Sequence, residues 1–144
     1  MNVHELKNQT TVRHGFGPVA IGANATVNSK IIDRLGYGGL HFILGYGAIV
    51  TTGTVVTVVV KEGDVTGTLT SVADADLVGT EALASRLGGA TTSGVGSNVR
   101  KAIGYKGSKR YVQVSLVKTG TTSVGCVDVT ALLFNPETTN GMPA

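Results

Sequence analysis

Thr54-Val55-Val56-Thr57-Val58-Val59-Val60-Lys61 is β-branched at every position but the last. Such side chains lose rotamer freedom against a helical turn and pack well on a pleated surface. The stretch therefore predicts a strand, and Glu62-Gly63-Asp64 after it supplies turn chemistry. Working outward, Thr26 to Ile32 is rich in strand formers, and Leu40-His41-Phe42-Ile43-Leu44 is an apolar run bounded by glycine, as a buried strand would be. A short strand is expected at Thr68 to Val72 and another at Asn98 to Ile103.

Two later segments alternate cleanly. Tyr111-Val112-Gln113-Val114-Ser115-Leu116 places Val112, Val114 and Leu116 on one face. Gly125 to Leu133 does the same with Val127, Val129, Ala131 and Leu133, and Lys118 to Thr122 between them predicts a hairpin connection. Only Thr80 to Leu87 reads as helix, a turn or two opened by a Thr80 cap and stopped by Gly88-Gly89.

The whole is expected to be all-β, a β-sandwich or jelly-roll-like small barrel of about 7–8 short strands. Residues 1–25 are expected to form an extended N-terminal arm with at most one short strand, residues 26–136 the sandwich, and residues 137–144 a disordered tail. Composition agrees, since 21 glycines in 144 residues is about twice ordinary usage. One domain of this length buries roughly 68–70% of the surface its unfolded chain exposes. The single cysteine, Cys126, has no partner for an intramolecular bridge, which points to assembly in a cytoplasm. The opening Met1 to Gln9 lacks the apolar run of a signal peptide, and Leu40 to Val50 falls well short of the ~20 residues that span a bilayer, so no membrane role is expected.

Catalytic and cofactor chemistry finds little support. His4, His14 and His41 could meet only if the arm folded onto the core, no Cys or His pair has zinc-ligand spacing, and His41 reads as a core or interface residue. Asp74-Ala75-Asp76-Leu77-Val78-Gly79 begins like a calcium loop and then departs from it at Val78 and Ser85. Gly94-Val95-Gly96 has no strand before it and no helix after it, so it reads as a loop rather than a dinucleotide site. Cys126 lies in an alternating strand and reads as a small apolar filler. No cofactor, metal or catalytic set is expected.

Charge is the more informative signal. Glu62 to Glu81 holds five acids and no base, while Ala82 to Val127 holds seven bases and no acid. Such asymmetry suggests an interaction, with a second copy of the chain as one partner. Within the basic block, Arg100, Lys101, Lys106, Lys109 and Arg110 interleave with Tyr105 and Tyr111, and these seven form the candidate interface. Nucleic-acid contact ranks below a protein interface there, because a net charge of +3 is mild. Opposite charge blocks could close a head-to-tail ring, with a trimer the expected homo-oligomer.

Several stretches in order resemble the decoration, or cement, proteins of tailed-phage heads. They are Ile31-Ile32-Asp33-Arg34-Leu35-Gly36-Tyr37, Ser71 to Gly79, Ile103-Gly104-Tyr105-Lys106-Gly107-Ser108-Lys109-Arg110-Tyr111-Val112-Gln113-Val114, and the closing Leu133-Phe134-Asn135-Pro136. The chain departs from that family after Lys61 to Asp64, where Val65-Thr66-Gly67 follows and no tryptophan occurs. The resemblance implies a β-sandwich that assembles, typically as trimers, on the outside of a head and bridges major capsid subunits to stabilise the shell. The competing readings are another virion component of the head-completion or tail type, and a β module that binds a glycan or nucleic acid. Four tyrosines and no tryptophan make a poor sugar-stacking surface.

Overall fold

The computed structural model describes residues 9–21, 24–48, 54–87, 98–120 and 125–137. The valine-rich stretch is strand β5 (Val55–Gly63), in which Val56, Val58 and Val60 are buried and the residues between them half-buried. Around it run β1 (Thr10–Ile21), β2 (Thr26–Asn28), β3 (Ile32–Asp33) and β4 (Tyr37–Tyr46). After it come β6 (Thr70–Ser71), β7 (Leu77–Val78), the single helical turn α1 (Glu81–Ala84) and β8 (Arg86–Leu87). The chain closes with β9 (Val99–Tyr105), β10 (Tyr111–Thr119) and β11 (Gly125–Pro136).

These strands form two antiparallel sheets. One has the order β1-β11-β4-β9-β7; the other has β2-β10-β5-β6, with β3 also on β10 and β8 also on β5. Since β2 and β3 occupy successive parts of one edge of β10, and β6 and β8 successive parts of one edge of β5, each pair counts as one lane. Numbered along the chain, the lanes then run 1-8-3-6 in one sheet and 2-7-4-5 in the other, with β7 added beside β9. That wrapping is a jelly roll of two stacked sheets. The sheets stay open, so the arrangement is a sandwich and not a closed barrel.

Alternation puts Leu40, Phe42 and Leu44 of β4, Ile103 of β9, and Val127, Val129, Ala131 and Leu133 of β11 inside. They meet Val56, Val58, Val60, Val112, Val114 and Leu116 from the opposite sheet. Each of these side chains larger than alanine, taken fully out of water, contributes about 1.5–3 kcal/mol before the entropy of ordering it.

Three expectations are corrected. Thr10–Ile21 is not an arm with at most one short strand: it is a twelve-residue edge strand whose residues pair with β11 from Phe134 to Gly125. Its register shifts on either side of Phe16, where Gly15 presses on the Val129 backbone. These irregularities broke the period by which a strand is recognised. Residues 1–8 and 138–144 of the expected arm and tail lie outside the described residues, as do Gly88-Gly89 and Gly94-Val95-Gly96.

The second correction is that β10 and β11 are not a hairpin. β10 pairs with β5, β2 and β3, whereas β11 pairs with β1 and β4. Their apolar faces look at one another across the core, so alternation identified the buried face but not the neighbour.

Third, the helix ends at Ala84, because Ser85 turns extended and β8 follows. Thr80 does cap it, its Oγ1 accepting the Leu83 N–H at 3.1 Å. Glu81 and Ser85 accept the N–H groups of Val60 and Val58 at 2.6 and 2.8 Å. Side chains thus satisfy the part of the β5 edge between β6 and β8, which would otherwise invite another strand.

Candidate protein interface

The turn from β9 to β10 carries Lys106, Lys109 and Arg110, and buried Tyr105 anchors it. The Tyr105 hydroxyl donates to the Glu62 carboxylate and accepts the Lys109 backbone N–H at 3.0 Å. Burial first, and the carboxylate second, push the phenol up to about 12. Arg34 lies over the same ring, its guanidinium carbon 5.1 Å from the centroid. It donates to the carbonyl oxygens of Gly107 and, at 3.3 Å, Lys109. Gly107 is required by this approach, since a Cβ there would stand 2.4 Å from the Tyr105 hydroxyl oxygen.

Beyond this anchor the basic side chains meet acids of their own chain. Lys109 Nζ lies 2.7 Å from Asp64. Arg110 grips Asp33 bidentately, Nε to Oδ1 at 2.9 Å and a terminal nitrogen to Oδ2 at 2.7 Å, and its guanidinium carbon lies 5.0 Å from the Tyr111 ring centroid. Hydrogen bonding to Arg110 holds the Asp33 carboxyl below its usual range, and hydrogen bonding to Lys109 does the same for Asp64. Asp33 sits here because Gly36, at φ +87°, closes the turn in which the Tyr37 N–H bonds the Arg34 carbonyl at 3.0 Å. A cleft of about 150 Å³ between Leu35, Tyr37, Ser108 and Arg110 opens beside the pair.

The other two candidate residues lie elsewhere. Arg100 and Lys101 begin β9, so about 15–20 Å of strand separates them from the Tyr105 turn. Arg100 bonds Asp128 at 3.2 Å on the outer face of its sheet. Lys101 points inward and donates to the Ser85 carbonyl at 2.6 Å. Burial, aided by the Arg86 charge, lowers its pKa. The seven residues therefore form two groups at opposite ends of β9. Sequence reading missed Asp33, Arg34, Glu62 and Asp64 as members; the opposed charge blocks were the signal for Glu62 and Asp64, and part of what they encode is pairing within one chain, whereas Asp33 and Arg34 lie outside both blocks. Lys106 is exposed, and its backbone N–H bonds the Asp76 carbonyl at 2.8 Å.

The remaining chemistry-bearing residues are dispersed. His14 is exposed on β1, and His41 stacks on Phe134 with centroids 5.3 Å apart. Asp74 and Asp76 form a short 3₁₀ turn. Cys126 is half-buried opposite Ala20. Among the described residues no group of three His, Cys, Asp or Glu side chains could hold a metal ion, and no helix is long and apolar enough to cross a membrane.

Neither a family model nor a curated protein matches the sequence. Solved structures do share the fold. The chain superposes on the PBSX exported protein XepA with a TM-score of 0.54 at 14% identity, covering 93% of this chain and 39% of that one. A chain from the structure of infectious bursal disease virus, Gx strain, gives 0.53 at 7% identity, covering 92% of this chain and 33% of that one. This protein thus spans about two fifths of the first neighbour and a third of the second, and what it shares with them is the two-sheet sandwich.

Proposed function

We propose that the chain is a structural subunit of a virus or phage particle, held on the outer surface of the shell where it bridges neighbouring major capsid subunits. The observation that carries the reading is the fold: a jelly-roll sandwich of the kind also found in a chain of a virus particle. The phage-head resemblance of the Ile31–Tyr37 and Ile103–Val114 stretches supports the more specific part. Both stretches meet in the folded chain, through Asp33–Arg110 and Arg34–Tyr105.

The work of such a subunit is mechanical. A protein that binds several shell subunits at once contributes its binding free energy only while the lattice is intact, which favours the closed shell by mass action. The charged turn suits a supporting role here, since its ion pairs fix the shape of the contact surface. A trimer built from opposite charge blocks loses part of its rationale, because Asp64 and Lys109 neutralise each other within one chain.

The test is to purify particles with and without this chain, count its copies, and heat both. Hundreds of copies, earlier bursting without it, and recovery on adding purified protein in proportion to occupancy are expected. A few copies per particle and a failure to join head to tail would point to a head-completion part instead. Equal heat resistance with and without it would remove the stabilising role.

A further inference from the structure

Where β9 begins, at one end of the five-stranded sheet, the outer face carries a cleft of about 320 Å³, within the ~300–1,000 Å³ of ligand pockets. Its floor is backbone. Gly45 stands in register between Arg100 and Asp128. Gly47, just past β4, donates its N–H to the Cys126 carbonyl at 2.8 Å and accepts the Asn98 N–H at 3.1 Å. Neither glycine raises a side chain into the space above. β1 shapes the far wall, because its register shifts between Phe16 and Val19 so that Gly17 and Pro18 together oppose the single residue Asp128. Bulges of this kind re-aim side chains beside binding sites, and a glycine within a strand often marks where a ligand approaches the backbone.

The polar groups above this floor form a matched set. A Cβ at Gly45 would fall on the Asp128 carboxylate and lie 2.8 Å from a terminal nitrogen of Arg100, so the glycine lets the two side chains close across β4. They meet at one point, 3.2 Å apart, unlike the bidentate grip of Arg110 on Asp33. The Arg100 side chain stays 66% exposed, which leaves further donors of its fork within reach of a bound molecule. Asn98, exposed and held at φ +52°, adds an amide that both donates and accepts.

We propose that this cleft binds a neutral saccharide. Charge narrows the choice first: cation and anion stand side by side, so a phosphate or carboxylate ligand loses at Asp128 what it gains at Arg100. An extended peptide would need an open strand edge for a ladder of its own, whereas β4 is paired on both sides, with β11 and β9. A flat aromatic ligand would find no ring to stack on, since the Tyr46 side chain turns inward and its hydroxyl donates to the Ala84 carbonyl at 2.7 Å. A sugar ring answers to what remains. Adjacent hydroxyls accept from Arg100 and donate to Asp128, while the C–H face lies on the Gly47 backbone and Pro18. With hydrogen bonds in place of an aromatic platform, binding is weak, with a Kd of about 1 mM or above. The site is a property of the single chain and does not depend on the capsid reading.

The test follows backbone amide shifts of the ¹⁵N-labelled chain during titration with neutral hexoses, 6-deoxyhexoses, N-acetylhexosamines and their disaccharides to about 50 mM. At least one should give saturable shifts centred on Gly45, Gly47, Arg100 and Asp128, and glycerol or a sialic acid at the same concentration should not. Arg100→Gln and Asp128→Asn change surface side chains and should leave the melting transition in place, while each weakens binding at least tenfold. Gly47→Ala, whose Cβ would stand 3.2 Å from that of Cys126, should obstruct the floor. Shifts that these variants leave unaltered, equal shifts with glycerol, or no saturable response to any sugar of the set would overturn the proposal.

Discussion

The hydroxyl of Tyr105 accepts the backbone N–H of Lys109 at 3.0 Å, so the last residue of a core strand holds the basic turn that follows it. Tyr105→Phe would remove that acceptor and also the donor to Glu62. Leaving partly buried polar groups unmatched costs about 1–3 kcal/mol. The urea midpoint should fall with the slope unchanged; an unaltered midpoint would show that the turn holds itself.

The charged turn makes a second, sharper prediction. Lys109→Glu and Arg110→Glu place like charges against Asp64 and Asp33, so each should destabilise the isolated chain modestly, and less in high salt. Asp64→Lys added to the first, or Asp33→Arg added to the second, should restore part of the loss in a double-mutant cycle. Additive losses would mean that these pairs are geometry without energy.

Gly15 tests the irregular edge strand. A Cβ there would stand 2.7 Å from the Val129 carbonyl oxygen and 2.8 Å from one of its methyl groups. Backbone cannot swing aside as a side chain can, so Gly15→Ala should cost about 1–3 kcal/mol. Hydrogen exchange should quicken in β1 and β11 before it does in β5. An alanine variant as stable as the parent would show that β1 can shift its register freely.

His41 supplies a pH dependence. Burial lowers its pKa from the ordinary 6.5, so the folded chain resists a proton that the unfolded chain accepts. Its contribution is therefore complete above about pH 6.5 and declines as the pH falls from there through the lowered folded pKa. His41→Phe should flatten the stability profile in that window. A profile with the same slope in both proteins would assign the effect to other groups.

Much of the sandwich was legible because β-branched runs and alternation report directly on burial, as in Val55–Gly63 and Tyr111–Thr119. Strand neighbours were not legible: Val112 and Val129 each announce an inward face, yet nothing local says that those faces oppose each other. β1 was hidden by Gly15, Gly17 and Pro18, which interrupt a period where the strand bulges. For the candidate interface, the residue types pointed to an interaction. The sequence distance from Asp33 to Arg110 concealed that one of its partners lies in the same chain.

The pairing of β1 with β11 has a consequence during synthesis. Among the described residues the first strand has its one ladder partner in the last, and β5–β6 is the one ladder on either sheet path between strands consecutive in the chain. Until Pro136 has left the ribosome, Thr10–Ile21 must wait without its ladder, and the intermediates on the way expose open strand edges. Folding is therefore expected to be slow and to wait for β11, and a nascent chain arrested before residue 125 should be found with chaperones rather than as a partial sandwich.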